Sequence, residues 1–365
     1  MAQSSPTNAA DPEPLELLAH FLADFGLLSF LPSLEGTSLM RYNALLTASR
    51  PEFLRKLKEQ GVHALGDRQK IANSMARARR NGLLPTLSTA DLMRSLAEPV
   101  SEGRVRIPYR VPAQTKPTAP ALQVPRVIYQ TYRLRTVSTE MWENVCRIFE
   151  LNPDWSYEFY DDERCAALIS GEFGSRVSEA FARLRAGAAK ADLWRYCVLY
   201  MYGGVYLDMD AGVNRALSHC IKPHTRFIPM YDAEANLIQW VLIAAPKQPL
   251  LRRCIEESTA RILAGEPNIF VATGPTVLTD IFFELNPLTP GEHIYGSRTM
   301  GWGDKLARLQ AAQALPEDSE TFSVLYDGYT YAHLYERGES ERYLPTWGRD
   351  PTQGLYWDTD TRNSG

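Results

Sequence analysis

The chain predicts a small all-α unit followed by an α/β sheet domain, and three observations carry that expectation. From Leu15 to about Leu96 the apolar positions keep helical spacing: Leu17, Phe21, Phe25 and Leu28 fall four and three apart, and Leu54, Leu57 and Val62 continue shorter amphipathic segments. Residues 98–121 then hold Pro99, Pro108, Pro112, Pro117 and Pro120, which cannot sustain helix and favour an extended spacer. Beyond them strand-like and helix-like runs alternate, the order of an α/β sheet whose ligands gather at the carboxyl ends of its strands.

Each element follows from local chemistry. Residues 1–14 are Ser/Pro/Asp/Asn-rich and read as a disordered leader. In the helical domain over 15–97, Pro32, Gly36, Pro51, Gly61 and Gly66 punctuate helices of modest length. The Pro-rich linker spans 98–121. The α/β domain over 122–350 should open with a strand near 125–131, then a helix near 138–150. A strand over 155–160 follows, where Trp155, Tyr157 and Phe159 alternate as a half-buried strand requires. Helices near 177–185 and 188–202 and a strand over 204–209 complete the clear pattern. Residues 351–365 read as a tail, and no internal repeat is visible.

Composition limits the function classes. A chain of 365 residues with 45% hydrophobic and 22% charged content is an ordinary globular protein, too long for one small core. The net charge of −4 points to no global partner, but residues 50–82 hold nine Lys/Arg against three Asp/Glu, a local +6. The five cysteines, Cys146, Cys165, Cys197, Cys220 and Cys254, are scattered without a C-x-x-C pair, which favours buried thiols over a disulfide framework or a zinc site. The N-terminus lacks the basic start and apolar run of a signal peptide, and no stretch approaches the ~18 apolar residues of a membrane span. Read as full length, the sequence points to the cytosol.

The most informative stretch is AKADLWRYCVLYMYGGVYLDMDAGV, residues 189–213. It reads as a helix, a Gly203-Gly204 corner and a strand. Strand alternation turns Val205, Leu207 and Met209 into a core and Tyr206, Asp208 and Asp210 to the other face. Two carboxylates about 7 Å apart on one strand edge are costly without a positive partner, and a hard cation such as Mn²⁺ or Mg²⁺ suits their oxygens. Asp192 and Arg195, three apart, share a face of the preceding helix. A bare D-x-D arises by chance as a solvated strand end; the longer combination is more specific.

That combination, D-x-x-R-Y and then Y-G-G-V-Y-L-D-x-D, resembles the signature of the DxD sugar transferases of glycosyltransferase family 32. VPRVIYQTY at 124–132 is similar to the family's opening strand, with Tyr129 and Tyr132 where the family has His and Trp. Asn152-Pro153-Asp154-Trp155 with SYEFYDD resembles its N-P-x-[WY] segment, and Ala272-Thr273-Gly274-Pro275 its T-G-P loop. His333 with Thr346-Trp347 is a looser match to its closing element.

The resemblance implies a GT-A nucleotide-sugar-transferase fold and a retaining transfer of a hexose from a UDP- or GDP-linked donor to a protein, glycan or lipid acceptor. It places Asp208 and Asp210 on metal and diphosphate, and Asp192 and Arg195 on the donor sugar; an intrahelical ion pair is the plainer reading of the last two. Tyr132 would stack on the nucleobase or else pack in the core. Gly203, Gly204 and Tyr206 would lie beside the phosphates, Thr273 and Gly274 on the sugar or acceptor side. His333 would give a late metal or phosphate contact, or be structural. No dedicated base is needed if the departing phosphate helps deprotonate the acceptor.

The helical unit resembles a sterile-alpha-motif domain, through F-L-x-x-F-G-L-x-x-F-L-P at its start and G-V-H-A-L-G-D-R-Q-K-I later. A role in self-association is its first expectation. Two alternatives remain: a nucleotide-sugar hydrolase, since paired carboxylates also serve hydrolysis, and a non-catalytic scaffold binding RNA, anionic lipid or protein through the basic helical module.

Overall fold

The computed structural model describes residues 14–35, 37–84, 87–117, 120–213, 216–228, 230, 236–287, 297, 300–313 and 331–333. The leader over 1–13, the Thr346-Trp347 pair and the tail over 351–365 lie outside them. The chain divides into two compact units between Glu98 and Pro99.

The first unit is helical throughout: α1 (Pro14–Asp24), a 3₁₀ turn (Leu28–Phe30), α2 (Leu31–Leu34), α3 (Leu39–Ala48), α4 (Arg50–Glu59), α5 (Leu65–Arg80) and α6 (Thr89–Leu96). Ser38, Ser49 and Ser88 cap α3, α4 and α6, their side chains accepting from the N–H groups of Arg41, Glu52 and Asp91. Leu22, Tyr42, Phe53, Leu57, Ile71 and Met93 are buried in its core.

After α6 come β1 (Glu98–Ser101), β2 (Arg104–Arg106) and β3 (Arg110–Val111), so residues 98–111 of the span expected to be a linker are instead largely strand. The prolines are accommodated at the margins: Pro99 sits on an edge strand, and Pro108 and Pro112 bracket β3, itself an edge. There follow β4 (Val127–Thr131), β5 (Thr136–Ser138), α7 (Thr139–Leu151), β6 (Ser156–Tyr160), α8 (Asp162–Glu172), α9 (Ser175–Arg183), α10 (Gly187–Tyr202), β7 (Gly204–Leu207), β8 (Ala211–Val213), β9 (Phe227–Ile228) and β10 (Val241–Ala244). The last elements are α11 (Pro249–Ala264), α12 (Ile269–Ala272), α13 (Pro275–Leu285), α14 (Trp302–Gln313) and β11 (Tyr331–His333).

Six strands form a mixed sheet in the order β3-β6-β4-β7-β10-β9. β6, β4 and β7 run parallel, while β3, β10 and β9 are antiparallel to their neighbours. The α/β class expected for this unit is what the structure has. Both faces of the sheet are covered. Tyr129, Tyr206, Leu242 and Ala244 join the core formed with α8, α9, α10, α11 and α13, and on the other face Tyr157 packs against Trp142 and Phe149 of α7. Every residue of β7 is buried, as interior strands with neighbours on both faces require. The expected division of β7 into a core face and a polar face is therefore corrected: Tyr206 is core. All five cysteines are free and buried, as their scatter implies.

Candidate active site

Because β6, β4 and β7 are parallel, their carboxyl ends share one edge, and the chemistry collects there. β7 stops at Leu207. The Asp208 N–H donates to the Trp240 carbonyl at 2.9 Å and the Ala211 N–H to the Asp208 carbonyl at 3.0 Å, which turns the chain. Asp208 and Asp210 thus sit on a turn between β7 and β8, not at alternate positions of one strand edge. The bond from the Asp208 N–H to Trp240, the residue before Val241, continues the β7–β10 register by one rung, and the Ala211–Asp208 bond then turns the chain away from β10. The Asp208 side chain keeps 29% exposure, whereas Asp210 is buried.

Two faces of the sheet hold this turn. From the α7 side come two buried amides to which the sequence assigned no role. Gln130 of β4 donates to the Asp208 carbonyl at 3.1 Å, and Asn144 of α7 donates to the carbonyls of Met209 (3.1 Å) and Ala211 (2.7 Å). From the α10 side come side chains that grip the carboxylate. Arg195 donates to Asp208 Oδ1 at 3.1 Å and lies 3.2 Å from Asp192 Oδ1, and the Tyr206 hydroxyl also donates to Asp208 Oδ1. The Arg195 guanidinium rests 4.4 Å from the Tyr206 ring centroid. Arg195 is therefore the counter-charge that the sequence alone did not reveal for Asp208, and the Asp192–Arg195 pair is a buried part of the site rather than a surface ion pair.

The electrostatics follow from burial. Removal from water pushes Asp192 up to about 6, an effect that Arg195 offsets in part, that Asp208 reinforces and that the Thr273 hydrogen bond opposes. Burial works against the charge of Arg195, yet Asp208, Tyr206 and Asp192 hold its pKa above the ordinary arginine value. Burial raises Tyr206 well above an ordinary phenol, so it stays a donor to Asp208.

The remaining expected site residues are placed differently. Thr273 is fully buried; its hydroxyl donates to Asp192 Oδ2 at 3.1 Å, and its carbonyl accepts from Tyr196 (3.2 Å) and Gln239 (2.8 Å). It orients Asp192 from within the core rather than reaching a ligand. A Cβ on Gly274 would lie 2.6 Å from Phe270 Cα, so that glycine serves the packing of α12 and α13. Gly203 and Gly204 stand at the amino end of β7, roughly 13 Å of strand away from Asp208, too far to flank the same phosphates. Their positive φ values and the near approach of Pro246 N (2.6 Å) and Val127 O (2.7 Å) to any added Cβ explain them as packing glycines. Tyr132 is half-buried just past β4, its N–H bonded to the Tyr160 carbonyl at 3.2 Å, on the same sheet edge as Asp208. His333 lies on β11 in register with Ala211, one residue past Asp210. Among the described residues no group of three or more His, Cys, Asp or Glu is placed to hold a metal ion. A cleft of about 370 Å³, lined by Asp162, Phe181 and Lys190 among others, shares none of the site residues named above.

Comparison with known proteins falls on the same elements. A family model described as a glycosyltransferase sugar-binding region containing a DXD motif matches residues 138–228. Inositol phosphoceramide mannosyltransferase 1 of Schizosaccharomyces pombe is 28% identical over 181 residues, 47% of this chain and 55% of its own. The initiation-specific alpha-1,6-mannosyltransferase of the same yeast is 27% identical over 193 residues, 44% of this chain and 48% of its own. Mannosyl phosphorylinositol ceramide synthase SUR1 of Saccharomyces cerevisiae is 33% identical over 101 residues, 28% of this chain and 26% of its own. The chain spans about half the length of the first two of these relatives. Among solved structures, the PaToxG glycosyltransferase is matched with a TM-score of 0.39 and 14% identity over 60% of this chain and 83% of that one, a likeness too slight to define the fold. The segment from the cap of α7 to β9, with Asn144, Asp192, Arg195 and the Asp208–Asp210 turn inside it, is the part of the chain that matches the glycosyltransferase sugar-binding region containing a DXD motif.

Proposed function

We propose that this protein is a metal-dependent glycosyltransferase of GT-A type that moves a hexose from a UDP- or GDP-linked donor to an acceptor hydroxyl, with retention at the anomeric carbon. The observation that carries the reading is the convergence of Asp192, Arg195 and Asp208 at the carboxyl edge of β7 within the matched segment. Mannose is the first sugar to test, because the relatives are named mannosyltransferases. A glycolipid acceptor stands beside protein and glycan acceptors for the same reason.

The residues fit a hard divalent cation in donor chemistry. Arg195 and Tyr206 both bind Oδ1 of Asp208, and Oδ2 takes part in neither bond. Asp208 and Asp210 would hold Mn²⁺ or Mg²⁺, which supplies Lewis-acid neutralisation of the departing diphosphate. The chain does the positioning. Gln130 and Asn144 fix the turn before any ligand arrives, which is the form of preorganisation that electrostatic catalysis needs. Arg195 presents a fixed positive charge, and ionised Asp192, oriented by Thr273, accepts from donor hydroxyls. The helical first unit, which resembles a sterile-alpha-motif domain, serves recruitment or self-association in this reading.

The test is donor consumption and product identity across UDP- and GDP-hexoses with Mn²⁺, using the full chain and its Asp208→Asn/Asp210→Asn variant. Turnover should fall at least ~100-fold, several kcal/mol of lost charge stabilisation, with unchanged near-ultraviolet circular dichroism. An active double variant refutes the metal role, and free hexose as the end product in the presence of every acceptor class reassigns the protein as a hydrolase.

A further inference from the structure

The run from Leu237 to Ile243 is apolar but for Gln239, whose side chain is buried all the same. A buried amide is costly unless its groups are bonded, and both protons of Gln239 Nε2 are used. One goes to the Tyr196 hydroxyl of α10 and the other to the Thr273 carbonyl at 2.8 Å. The backbone that presents Gln239 is itself held. The Leu237 N–H donates to Thr279 Oγ1 of α13 and the Ile238 N–H to the Met230 carbonyl, both at 2.9 Å.

Thr273 is where these bonds meet the acids. Its carbonyl takes the Gln239 amide and, at 3.2 Å, the Tyr196 hydroxyl, which ties α10 to the junction of α12 and α13. Its hydroxyl has one proton and two acceptors in reach, Asp192 Oδ2 at 3.1 Å and the Ile269 carbonyl at 3.2 Å. The second is the ordinary back-bond of a threonine to the carbonyl four residues earlier. Only the first orients Asp192, whose Oδ1 faces Arg195 at 3.2 Å. With the two acceptors so nearly equidistant, the position of the Thr273 backbone decides between them. Trp240, the residue after Gln239, accepts from the Asp208 N–H. Two consecutive residues therefore hold both acids, Asp208 directly and Asp192 through Thr273.

We propose that Gln239 is a positioning residue for recognition of the donor sugar. By fixing the Thr273 carbonyl it keeps the Thr273 hydroxyl on Asp192, and Asp192 aligned beside Arg195 and Asp208. An apolar residue of the same size would fill the space, but only an amide supplies two donors, one for a hydroxyl and one for a carbonyl. The residue type is thus explained by the bonds rather than by packing. The inference rests on the transferase reading above, in which Asp192 accepts from donor hydroxyls. It goes beyond that reading by placing the control of this contact in the segment before β10, outside the matched residues 138–228.

Calorimetry on the full chain with Mn²⁺ decides it, using UDP and GDP as bare diphosphates and UDP-glucose and GDP-mannose as intact donors. Gln239→Met removes both donors at nearly constant volume. It should weaken the intact donor about tenfold, the lower end of what a hydrogen bond to a charged group contributes, and leave the bare diphosphate within about twofold. Tyr196→Phe, which leaves the Gln239 bond to Thr273 in place, should shift the same ratio less. The matched control is Gln248→Met, a second buried glutamine, which donates to the Arg226 carbonyl at 2.8 Å beyond the other end of β10. Its loss should change neither affinity. The proposal is overturned if Gln239→Met weakens both ligand types equally, if it weakens neither, or if Gln248→Met shows the same selective loss. Failure of the transferase reading is seen separately, in the unmodified chain: if that chain binds none of the four nucleotides, the reading falls and the role of Gln239 falls with it.

Discussion

Asp192→Asn removes a carboxyl that burial holds with its pKa raised, and the sign of its effect can be worked out. The pKa rises from the ordinary 3.8 to about 6 in the fold. Below about pH 4 both folded and unfolded chains carry the proton, and the group costs nothing. As the pH climbs, the unfolded chain releases its proton first, so the stability present in acid is lost through the window from about 4 to 6. The loss levels off near about 3 kcal/mol once both states are ionised. The amide cannot ionise, yet it can still accept from Thr273, and Arg195 keeps Asp208 as a partner. The stability of the variant relative to the unmodified chain should therefore improve by up to about 3 kcal/mol across that window and stay flat above it. Urea unfolding followed by indole fluorescence reads this cleanly, because all seven tryptophans lie beyond residue 98, in the second unit. A difference that is flat or falls between about pH 4 and 6 would show that Arg195 fully compensates the burial, and the assignment of Asp192 as a strained acid would fail.

Two further outcomes follow from the same geometry. Asn144→Ala deletes both bonds to the turn carbonyls, so it should cost about 1–3 kcal/mol of stability and weaken Mn²⁺ affinity measured by calorimetry; unchanged affinity in a folded variant would mean the turn needs no such support. A chain beginning at Pro99 should keep a cooperative fluorescence-detected transition, whereas one beginning at Lys116 loses β3, its pairing with β6 and the Tyr109–Asp161 bond, and should be markedly less stable; equal midpoints for the two would return residues 99–115 to the status of a linker.

The helices over 139–151 and 187–202 and the strands over 127–131 and 156–160 were legible because period and punctuation agree with burial there. The acidic and basic residues of the site were legible as a pattern, but their geometry was not. Nothing in Tyr206-Leu207-Asp208-Met209-Asp210 announces that the strand stops at Leu207; the turn there is closed by the Ala211 N–H on the Asp208 carbonyl and held by Gln130 and Asn144, which are remote in sequence. The glycine pair reads as part of the site because a Gly-Gly corner lets backbone pass close to phosphates, although β7 separates it in space from Asp208. Gln130 and Asn144 bond to residues 78 and 65 positions away, and their only local signal is an amide inside an apolar element. Helix α8 could have been found: Asp161 caps it, accepting from the Arg164 N–H, and Asp162 and Glu163 fill its first turn. The strands of residues 98–111 were hidden by prolines, which exclude a residue from the interior of a sheet but not from its rim.

The pairing of β8 with β11 has a kinetic meaning. Ala211 and His333 face each other across a loop of roughly 120 residues, whose closure costs roughly 4 kcal/mol of chain entropy. Contacts of such long range form late, after the local helices and the parallel strands have assembled. During synthesis at roughly 5–20 residues per second, the Asp208 turn leaves the ribosome several seconds before its β11 neighbour. The nascent second unit thus carries its acidic turn with β8 still lacking a strand partner, and the far side of the site is closed last.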